Sequence, residues 1–309
     1  MREMGIKMFF KLLNYTEIKT KITSIFAFLL TLSYLFYIGR EIDWKLTLIF
    51  FVSMFVFDLT TTAINNYIDS KNNHQTLAFR RRTALLIIYA LFIVSVSFGL
   101  YLAYLTDVVV LLLGAVCFLC GVFYTFGPVP ISRQPLGEIF SGFFYGFLIP
   151  FILLYINMPE GTYLTLSLGL ESIKLDLRVI PLVTIILLSI APVCTTANIM
   201  LANNICDVDK DITVMRYTLP YYLGNKPSLY LFAALNYIPY AAVIIMVLLR
   251  ILSPVCLIAL LTLFLVQKNI NMFFKVQDKE KTFVCAIKNY VIIIASITVL
   301  IFISGLNLV

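Results

Sequence analysis

Nine stretches of roughly twenty mostly apolar residues restrict the fold of this chain more than any other feature. A stretch of that length is what an α-helix needs to cross the hydrocarbon core of a bilayer. With 61% hydrophobic and 13% charged residues, the 309-residue chain has little polar surface for a water-soluble fold. We therefore predict an all-α, polytopic membrane protein with about nine transmembrane helices. They lie at roughly 23–40, 46–68, 83–105, 107–126, 136–157, 179–202, 228–249, 251–267 and 287–307.

The distribution of Lys and Arg among the loops predicts the orientation. With an odd number of spans, 18 of the 23 Lys and Arg residues fall on the side of the N-terminus. Loops rich in these residues stay in the cytoplasm, so we predict a multi-pass protein of the cell membrane with a cytoplasmic N-terminus. The same bias accounts for most of the net charge of +7, which is therefore no indication of a nucleic-acid partner.

A short polar motif occurs twice, each time at the cytoplasmic end of a predicted span. Residues 65–69 read NNYID, with Asn73 four residues later; residues 203–207 read NNICD, with Asp211 four residues later. Polar clusters beside hydrocarbon are costly and usually functional. Residues four apart share a helix face, and Mg²⁺ prefers oxygen ligands. The two motifs therefore predict a shared site for a hard cation such as Mg²⁺.

The positions of the two motifs also predict how the chain is organised. They end the second and the sixth span and lie 138 residues apart. We expect one membrane domain over residues 1–309, made of two similar halves, about 1–135 and 136–285, and a last helix at about 287–307. Both motifs would then lie beside one central cavity.

The second span carries a polar stripe through the predicted membrane region. Asp58, Thr62, Asn65 and Asp69 follow one another at helical spacing on one face. Lipid cannot satisfy such a stripe, so it must face protein or water. For Asp58, the deepest of the four, two interpretations remain: it orients substrate or supports the site, or it only bonds a neighbouring helix.

Three loop segments stay open to two interpretations each. Residues 124–130 read YTFGPVP and precede Gly137-Glu138; their Gly and Pro predict a tight loop that holds Tyr124 and Glu138 near the cavity mouth, or simply a turn. Arg80, Arg81 and Arg82 are either topology signals or contacts for a bound anion. Segment 158–178 alternates apolar and polar residues and is read as an interfacial helix or a short lid.

Together, the two polar motifs and the loop at 124–130 resemble the UbiA superfamily of intramembrane aromatic prenyltransferases. The resemblance is greatest to the 1,4-dihydroxy-2-naphthoate polyprenyltransferases of menaquinone synthesis. The first motif is similar to the pattern NDxxDxxxD and the second to NNxRDxxxDxxxGKxTLxxxLG. The residues that match the second pattern are Asn203, Asn204, Asp207, Asp211, Thr218, Leu219, Leu223 and Gly224. The resemblance covers nearly the whole chain.

The chain departs from both patterns. In the first motif Asn66 and Asn73 stand where the pattern has Asp, which leaves Asp69 as its single acid. In the second, Cys206 and Met215 stand where Arg and Gly are common. Arg216 replaces Lys and keeps the positive charge. The lost carboxylates remove charge that a Mg²⁺ site would use, although amide oxygens can also ligate the metal.

The resemblance implies an enzyme that transfers a polyprenyl group from its diphosphate to an aromatic acid, with Mg²⁺ as cofactor. The implied metal ligands are Asn65, Asp69, Asn203, Asp207 and Asp211. Tyr67 and Tyr124 would offer negative ring faces to an allylic carbocation. The implied substrate contacts are Asn66, Asp58, Arg80, Arg81, Lys210, Arg216 and Glu138.

Other functions compatible with the sequence are a non-catalytic homologue that binds prenyl lipids and a small-solute transporter. Polar helices in two halves also occur in transporters, but there the substrate site lies near the middle of the membrane. Within the enzyme class, the acceptor could instead be a phenolic acid such as 4-hydroxybenzoate. Beyond its substrates and the bilayer, the sequence indicates no protein partner.

Overall fold

The structure is a computed structural model that describes residues 2–72, 76–127, 130–169 and 171–306. Within these residues the chain is predominantly helical, as predicted. The helices are α1 (Arg2–Tyr15), α2 (Ile22–Tyr37), α3 (Trp44–Asn72), α4 (Arg81–Leu105), α5 (Val108–Phe123), α6 (Gly137–Ser141), α7 (Ile149–Asn157), α8 (Val179–Thr213), α9 (Leu219–Leu223), α10 (Asn225–Leu248), α11 (Leu263–Lys275) and α12 (Val284–Leu306). A π-helical segment, Gly142–Leu148, joins α6 to α7, and 3₁₀ segments cover Ile18–Lys21, Ile131–Arg133 and Pro254–Thr262.

Seven helical segments of the described chain are long and apolar enough to cross a membrane. They are Trp44–Ser70, Arg81–Leu105, Gly137–Asn157, Val179–Thr213, Asn225–Leu248, Pro254–Lys275 and Val284–Leu306. The two other predicted spans coincide with the shorter apolar helices α2 and α5. Each predicted stretch thus corresponds to one helical segment, while the number of helices that cross the bilayer, nine, stays a prediction.

The two polar motifs lie in the last turns of two long helices. Helix α3 continues through the first motif to Asn72, and α8 continues through the second to Thr213. With 35 residues, α8 is about 50 Å long, which exceeds the roughly 30 Å of hydrocarbon in a bilayer. The polar last turns of α8 can therefore extend beyond the apolar layer while keeping their helical hydrogen bonds.

The segment between α7 and α8 forms a β-hairpin. Strands β1 (Leu164–Leu168) and β2 (Ile173–Leu177) are antiparallel, with Leu164 opposite Leu177 and Leu168 opposite Ile173. The interpretation as an interfacial helix is therefore wrong. Alternation with a period of two residues is the pattern of a strand, whose successive side chains point to opposite faces.

The chain divides into two compact units, Met1–Ile25 with Leu48–Arg133 and Phe26–Thr47 with Gln134–Val309. We call them the first and the second unit. The predicted similarity of two halves, 1–135 and 136–285, stays a prediction. In the first unit, a small core holds the end of α1 to α3: the Tyr15 hydroxyl donates to the Ala63 carbonyl at 2.8 Å, and its ring meets Phe79 edge-on at 5.5 Å. Burial raises the pKa of Tyr15 to about 12.

In the second unit, α8 packs closely against the π-helical segment. A Cβ atom on Gly146 would lie 2.3 Å from the backbone nitrogen of Val193, so only glycine allows this approach. Pro192, the residue before Val193, lies inside α8 and supplies no backbone N–H. The close contact fixes the position of α8, which carries the second motif.

A row of buried and half-buried amides connects α8 to its other neighbours within the second unit. Asn198 and Asn236 both donate to the Phe232 carbonyl, at 3.0 and 2.8 Å. Asn289 donates to Asn236 at 3.1 Å, and Asn269 donates to Asn289 at 2.7 Å. These residues belong to α8, α10, α12 and α11. Hydrogen bonds between polar side chains hold membrane helices together where lipid offers no competing partner.

Candidate active site

In the first motif, Asn66 is tied to the segment that follows α1. Its Nδ2 atom donates to the main-chain carbonyl of Tyr15 at 2.9 Å and to Oε1 of Glu17 at 3.2 Å. Glu17 adopts a left-handed backbone conformation, with φ 48°. The amide at position 66 therefore acts as a donor, which a carboxylate could not do. A carboxylate, that of Glu17, lies next to the position where the family pattern has an acid.

Asn65, a predicted metal ligand, contacts the end of α5. Its Oδ1 atom accepts a hydrogen bond from the hydroxyl of Thr125, which is buried. Asp69, one helical turn further along α3, is half-buried. Asn65 and Asp69 lie four residues apart and so share one face of α3, as the spacing predicted. Asn73 lies outside the described residues.

The deep acid of the polar stripe, Asp58, belongs to a buried ion pair. Lys21 lies 2.8 Å from Oδ1 and also bonds the Thr62 hydroxyl, and Ser24 donates to Oδ2 at 2.7 Å. The side chains of Lys21 and Asp58 are only 3% and 5% exposed. This arrangement corresponds to the second of the two interpretations, bonding to a neighbouring segment. A role of Asp58 in orienting substrate stays a prediction.

Among the aromatic and basic candidates of the first unit, Arg81 contacts Tyr67. The Arg81 guanidinium lies over the ring of Tyr67, 5.4 Å from its centroid, so a protein cation already covers one face of that ring. Arg80 is exposed just before α4. Tyr124 is half-buried at the end of α5, and its carbonyl accepts from the backbone N–H of Ser132 at 2.8 Å. The predicted roles of Tyr67 and Tyr124 near a carbocation stay predictions.

In the second motif, two oxygens converge on one positive charge. The Lys279 ammonium donates to Oδ1 of Asn203 and lies 2.5 Å from Oδ2 of Asp207. Asn203 and Asp207 are four residues apart on α8, as predicted. Lys279 comes from the loop between α11 and α12. The Asn203 and Asp207 oxygens thus lie close enough together to contact the same ammonium group.

One turn further along α8, a second group of charges surrounds Asp211. Arg216 Nη1 lies 3.6 Å from Oδ1 of Asp211, while Nη2 donates to Oδ1 of Asn204 at 3.3 Å. Asn204 in turn donates to Oε1 of Glu138 at 2.8 Å. Glu138 is 4% exposed, so it lies inside the second unit and not at an open rim. Lys210, also predicted here, is exposed on α8.

The turn after α8 contains one of the departures from the family pattern, Met215. Met215 has φ 53°, a left-handed backbone conformation that glycine adopts at least cost. The pattern has Gly at this position, and the present chain accepts a strained residue instead. Further on, Gly224 has φ 80° at the junction of α9 and α10, where the pattern also has Gly.

The oxygens of the second motif are of the kind that Mg²⁺ prefers as ligands. In the described part of the chain, no three His, Cys, Asp or Glu side chains are close enough to hold a metal by themselves. Mg²⁺ commonly takes one or two carboxylates and fills its remaining positions with water and phosphate oxygens. Asn203 and Asp207 both contact the Lys279 ammonium. Oδ2 of Asp211 is buried without a hydrogen-bond partner among the described residues.

A cavity of about 520 Å³ in the second unit does not involve the motifs. Its lining includes Tyr34, Tyr37 and Arg250, and none of the predicted site residues. The predicted central cavity for the prenyl chain therefore stays a prediction.

Comparison with known proteins decides the family. The model of the UbiA prenyltransferase family matches residues 24–302. The chain belongs to this family. A curated relative, the 1,4-dihydroxy-2-naphthoate octaprenyltransferase of Bacillus subtilis (strain 168), is 26% identical over 232 residues, which are 71% of this chain and 68% of the relative.

Solved structures of UbiA homologues have the same fold. The apo structure of a UbiA homologue from Aeropyrum pernix K1 gives a TM-score of 0.63 at 18% identity, over 89% of this chain and 97% of the other. A UbiA homologue from Archaeoglobus fulgidus bound to DMAPP and Mg²⁺ gives 0.58 at 14% identity, over 94% and 99%. The chain is thus a prenyltransferase of the UbiA family and a multi-pass membrane protein.

Several residues of this UbiA member that contact the motifs or the polar stripe are not predicted by the sequence patterns. Lys21, Glu17 and Thr125 bind motif or stripe residues of the first unit, and Lys279 binds the second motif. In the prediction of the orientation, Lys279 is one of the 18 Lys and Arg residues on the side of the N-terminus. It lies in the run Asp278-Lys279-Glu280-Lys281, where nothing local distinguishes one lysine from the other.

Proposed function

We propose that this UbiA member transfers a polyprenyl group from polyprenyl diphosphate to 1,4-dihydroxy-2-naphthoate, in a Mg²⁺-dependent reaction. The observation that carries the proposal is the convergence of Asn203 and Asp207 on one cation, beside the Asp211–Arg216 pair. Diphosphate and Mg²⁺ need a site with oxygen ligands and additional positive charge, and the second motif contains both.

The relatives support the substrates. The Bacillus subtilis relative is a 1,4-dihydroxy-2-naphthoate octaprenyltransferase. Two of the Archaeoglobus fulgidus structures contain Mg²⁺ together with DMAPP or GPP. Residues of this chain match the family pattern from Asn203 to Gly224, so we place the diphosphate at the second motif.

The charged side chains of the second unit suit a departing diphosphate. The guanidinium of Arg216 presents a planar group of donors that matches phosphate oxygens, and Asn204 and Asp211 hold it in place. Bound Mg²⁺ would stabilise the negative charge that develops on the leaving group. Asp69 on α3 would supply the carboxylate of the first motif, and Arg80 and Arg81 would add positive charge there.

The proposed reaction begins with ionisation of the prenyl donor. The allylic C–O bond of the donor breaks, and both electrons leave with the diphosphate. The ring of 1,4-dihydroxy-2-naphthoate attacks the allylic carbon through the ring carbon that bears the carboxyl group, and a C–C bond forms. Loss of CO₂ then restores the aromatic ring and gives a prenylated naphthoquinol, which is the reduced form of demethylmenaquinone. Tyr67 and Tyr124 are the candidates for stabilising the intermediate cation.

The distribution of Lys and Arg supports a location of both motifs at the cytoplasmic face of the cell membrane. The diphosphate head of the donor and the carboxylate of the aromatic acid are both charged. We therefore expect these groups to reach the site from the aqueous cytoplasmic face. The polyprenyl chain is apolar and would remain within the bilayer.

The direct test is a reaction with purified protein, Mg²⁺, farnesyl or geranylgeranyl diphosphate and 1,4-dihydroxy-2-naphthoate, analysed by mass spectrometry. We expect a prenylated, decarboxylated naphthoquinol that is lost on addition of EDTA. Asp207→Ala and Asp211→Ala should each lower turnover by orders of magnitude. Asp176→Ala, an exposed acid on strand β2, is the matched control and should leave turnover unchanged.

Each alternative has its own outcome. Product with 4-hydroxybenzoate but none with the naphthoate would keep the reaction class and overturn the acceptor. Diphosphate binding without product from any acceptor would indicate a non-catalytic prenyl-lipid-binding protein. Full turnover in both Asp207→Ala and Asp211→Ala would contradict the metal site.

A further inference from the structure

Lys279 contacts two predicted metal ligands of the second motif, and the proposed reaction does not yet explain this contact. Its ammonium contacts Asn203 and Asp207 and also lies 5.0 Å from the centroid of the Phe283 ring. The side chain is 41% exposed, whereas that of Asp207 is 19% exposed. The lysine thus reaches from the surface onto a carboxylate that is mostly shielded from water.

The loop that carries Lys279 is held in a defined shape. Oδ1 of Asp278 accepts from the backbone N–H groups of Glu280 and Lys281, at 2.9 and 2.8 Å. Thr282 accepts from the backbone N–H of Asp278 at 2.9 Å and donates to the Val276 carbonyl at 2.8 Å. These four bonds fix the backbone on both sides of Lys279. The contact with the motif is therefore a property of the fold and not of a loose chain segment.

We infer that Lys279 is a diphosphate-binding residue that occupies the cation position of the second motif until metal and substrate arrive. This inference rests on the proposed function. An ammonium and a divalent cation cannot occupy the same pair of oxygens, so metal binding between Asn203 and Asp207 requires the ammonium to move. The lysine stem has four flexible carbons and its ammonium has three rotatable donors, so the ammonium can move while the loop stays in place.

The nearest new partner for the displaced ammonium is the diphosphate that the metal binds. Charge-assisted hydrogen bonds between an ammonium and phosphate oxygens are strong, and Lys is a common phosphate-binding residue. In the absence of substrate, the same ammonium compensates the shielded carboxylate of Asp207, which would otherwise be costly to keep charged. One side chain thereby serves both states of the site.

Lys281 offers a matched control. It lies two residues away in the same loop, is exposed, and makes no side-chain hydrogen bond or ion pair among the described residues. Replacing either lysine by Met removes one positive charge from the same loop. A difference between Lys279→Met and Lys281→Met therefore reports position and not net charge.

The experiment measures binding and not turnover, with full-length protein in detergent. Mn²⁺, as a spectroscopic substitute for Mg²⁺, is titrated by electron paramagnetic resonance without diphosphate, and inorganic pyrophosphate is titrated by calorimetry in the presence of Mn²⁺. For Lys279→Met we expect Mn²⁺ to bind at least threefold more tightly and pyrophosphate about tenfold more weakly than in wild type. Lys281→Met should match wild type, and Lys279→Arg should largely restore pyrophosphate binding.

The outcomes separate this inference from the proposed function. Binding of Mn²⁺ by wild type but not by Asp207→Asn would show that the metal site itself exists. If, in that case, Lys279→Met leaves the affinity for Mn²⁺ or for pyrophosphate unchanged, the inference about Lys279 is overturned. If wild type itself binds no Mn²⁺ with or without pyrophosphate, the proposed metal-dependent function fails first. Size-exclusion profiles and thermal unfolding of all variants identify any that fail to fold.

Discussion

The side-chain amide of Asn66 donates a hydrogen bond of 2.9 Å to the main-chain carbonyl of Tyr15. The family pattern has Asp at position 66, and an ionised carboxylate cannot donate this bond. The departure from the pattern therefore has a structural role in this chain, since the Asn66 amide connects helix α3 to the end of α1. The same amide also donates to the carboxylate of Glu17, so an acidic side chain contacts the first motif.

Asn66→Asp should lower stability. The change removes two donated hydrogen bonds and places a negative charge next to Glu17, so we expect a loss of about 1–3 kcal/mol in the free energy of unfolding. Thermal unfolding in detergent measures it. The double variant Glu17→Gln/Asn66→Asp removes the repulsion and should regain part of the loss. An unchanged or higher stability of Asn66→Asp would show that the amide bonds contribute nothing.

Asp58→Asn should act on stability more than on substrate binding. It leaves the Lys21 ammonium, which is 3% exposed, without its opposite charge, and breaking a buried pair costs about 3–5 kcal/mol. Replacing both residues, as in Lys21→Met/Asp58→Leu, should recover much of that loss. Thermal unfolding and the KM for prenyl diphosphate distinguish the two interpretations of Asp58. Normal stability with a raised KM would favour substrate orientation.

Arg216→Ala should weaken the binding of the prenyl donor selectively. Loss of a charged donor to diphosphate is worth about 1.5–3 kcal/mol, or roughly a 10- to 100-fold rise in KM for the diphosphate. The KM for the aromatic acceptor should stay near its wild-type value. Arg216→Lys, the residue of the family pattern, should be nearly normal, and the exposed Lys226→Ala is the control. Equal rises in both KM values would argue against a diphosphate contact.

Met215→Gly should stabilise the turn after α8. A residue other than glycine in the left-handed conformation costs about 1–2 kcal/mol, part of which is offset by the greater chain entropy of glycine in the unfolded state. We expect a net gain of up to about 1 kcal/mol, seen as a higher midpoint of thermal unfolding. Met215→Ala keeps the strained backbone and should show no gain. A lower midpoint for Met215→Gly would mean that the Met side chain contributes packing.

The helical fold follows from the sequence because its determinants are local. Each apolar stretch is satisfied by its own backbone hydrogen bonds, so helix positions can be predicted without knowledge of the neighbours. The hairpin at Leu164–Leu177 was missed for the opposite reason. Its alternation is short, and pairing between strands, not any single stretch, decides that it is a sheet and not an amphipathic helix.

The candidate site is only partly readable from the sequence for a similar reason. The spacing of Asn203 and Asp207 places both on one face of α8 and predicts a cation-binding pair. The identity of the contacting cation, Lys279, depends on a loop 72 residues away from Asp207 whose shape is set by Asp278 and Thr282. Ion pairs between distant segments leave no periodic trace in the sequence.

The contacts of Tyr15, Glu17 and Lys21 lie before residue 24, where the family match begins. A truncated version of the protein trimmed to residues 24–302 would retain every residue of both family motifs. It would nevertheless remove the Tyr15 contacts of Ala63 and Asn66 and leave Asp58 with Ser24 but without the Lys21 ammonium. The N-terminal segment therefore supplies contacts to α3 that the region matched by the family does not contain.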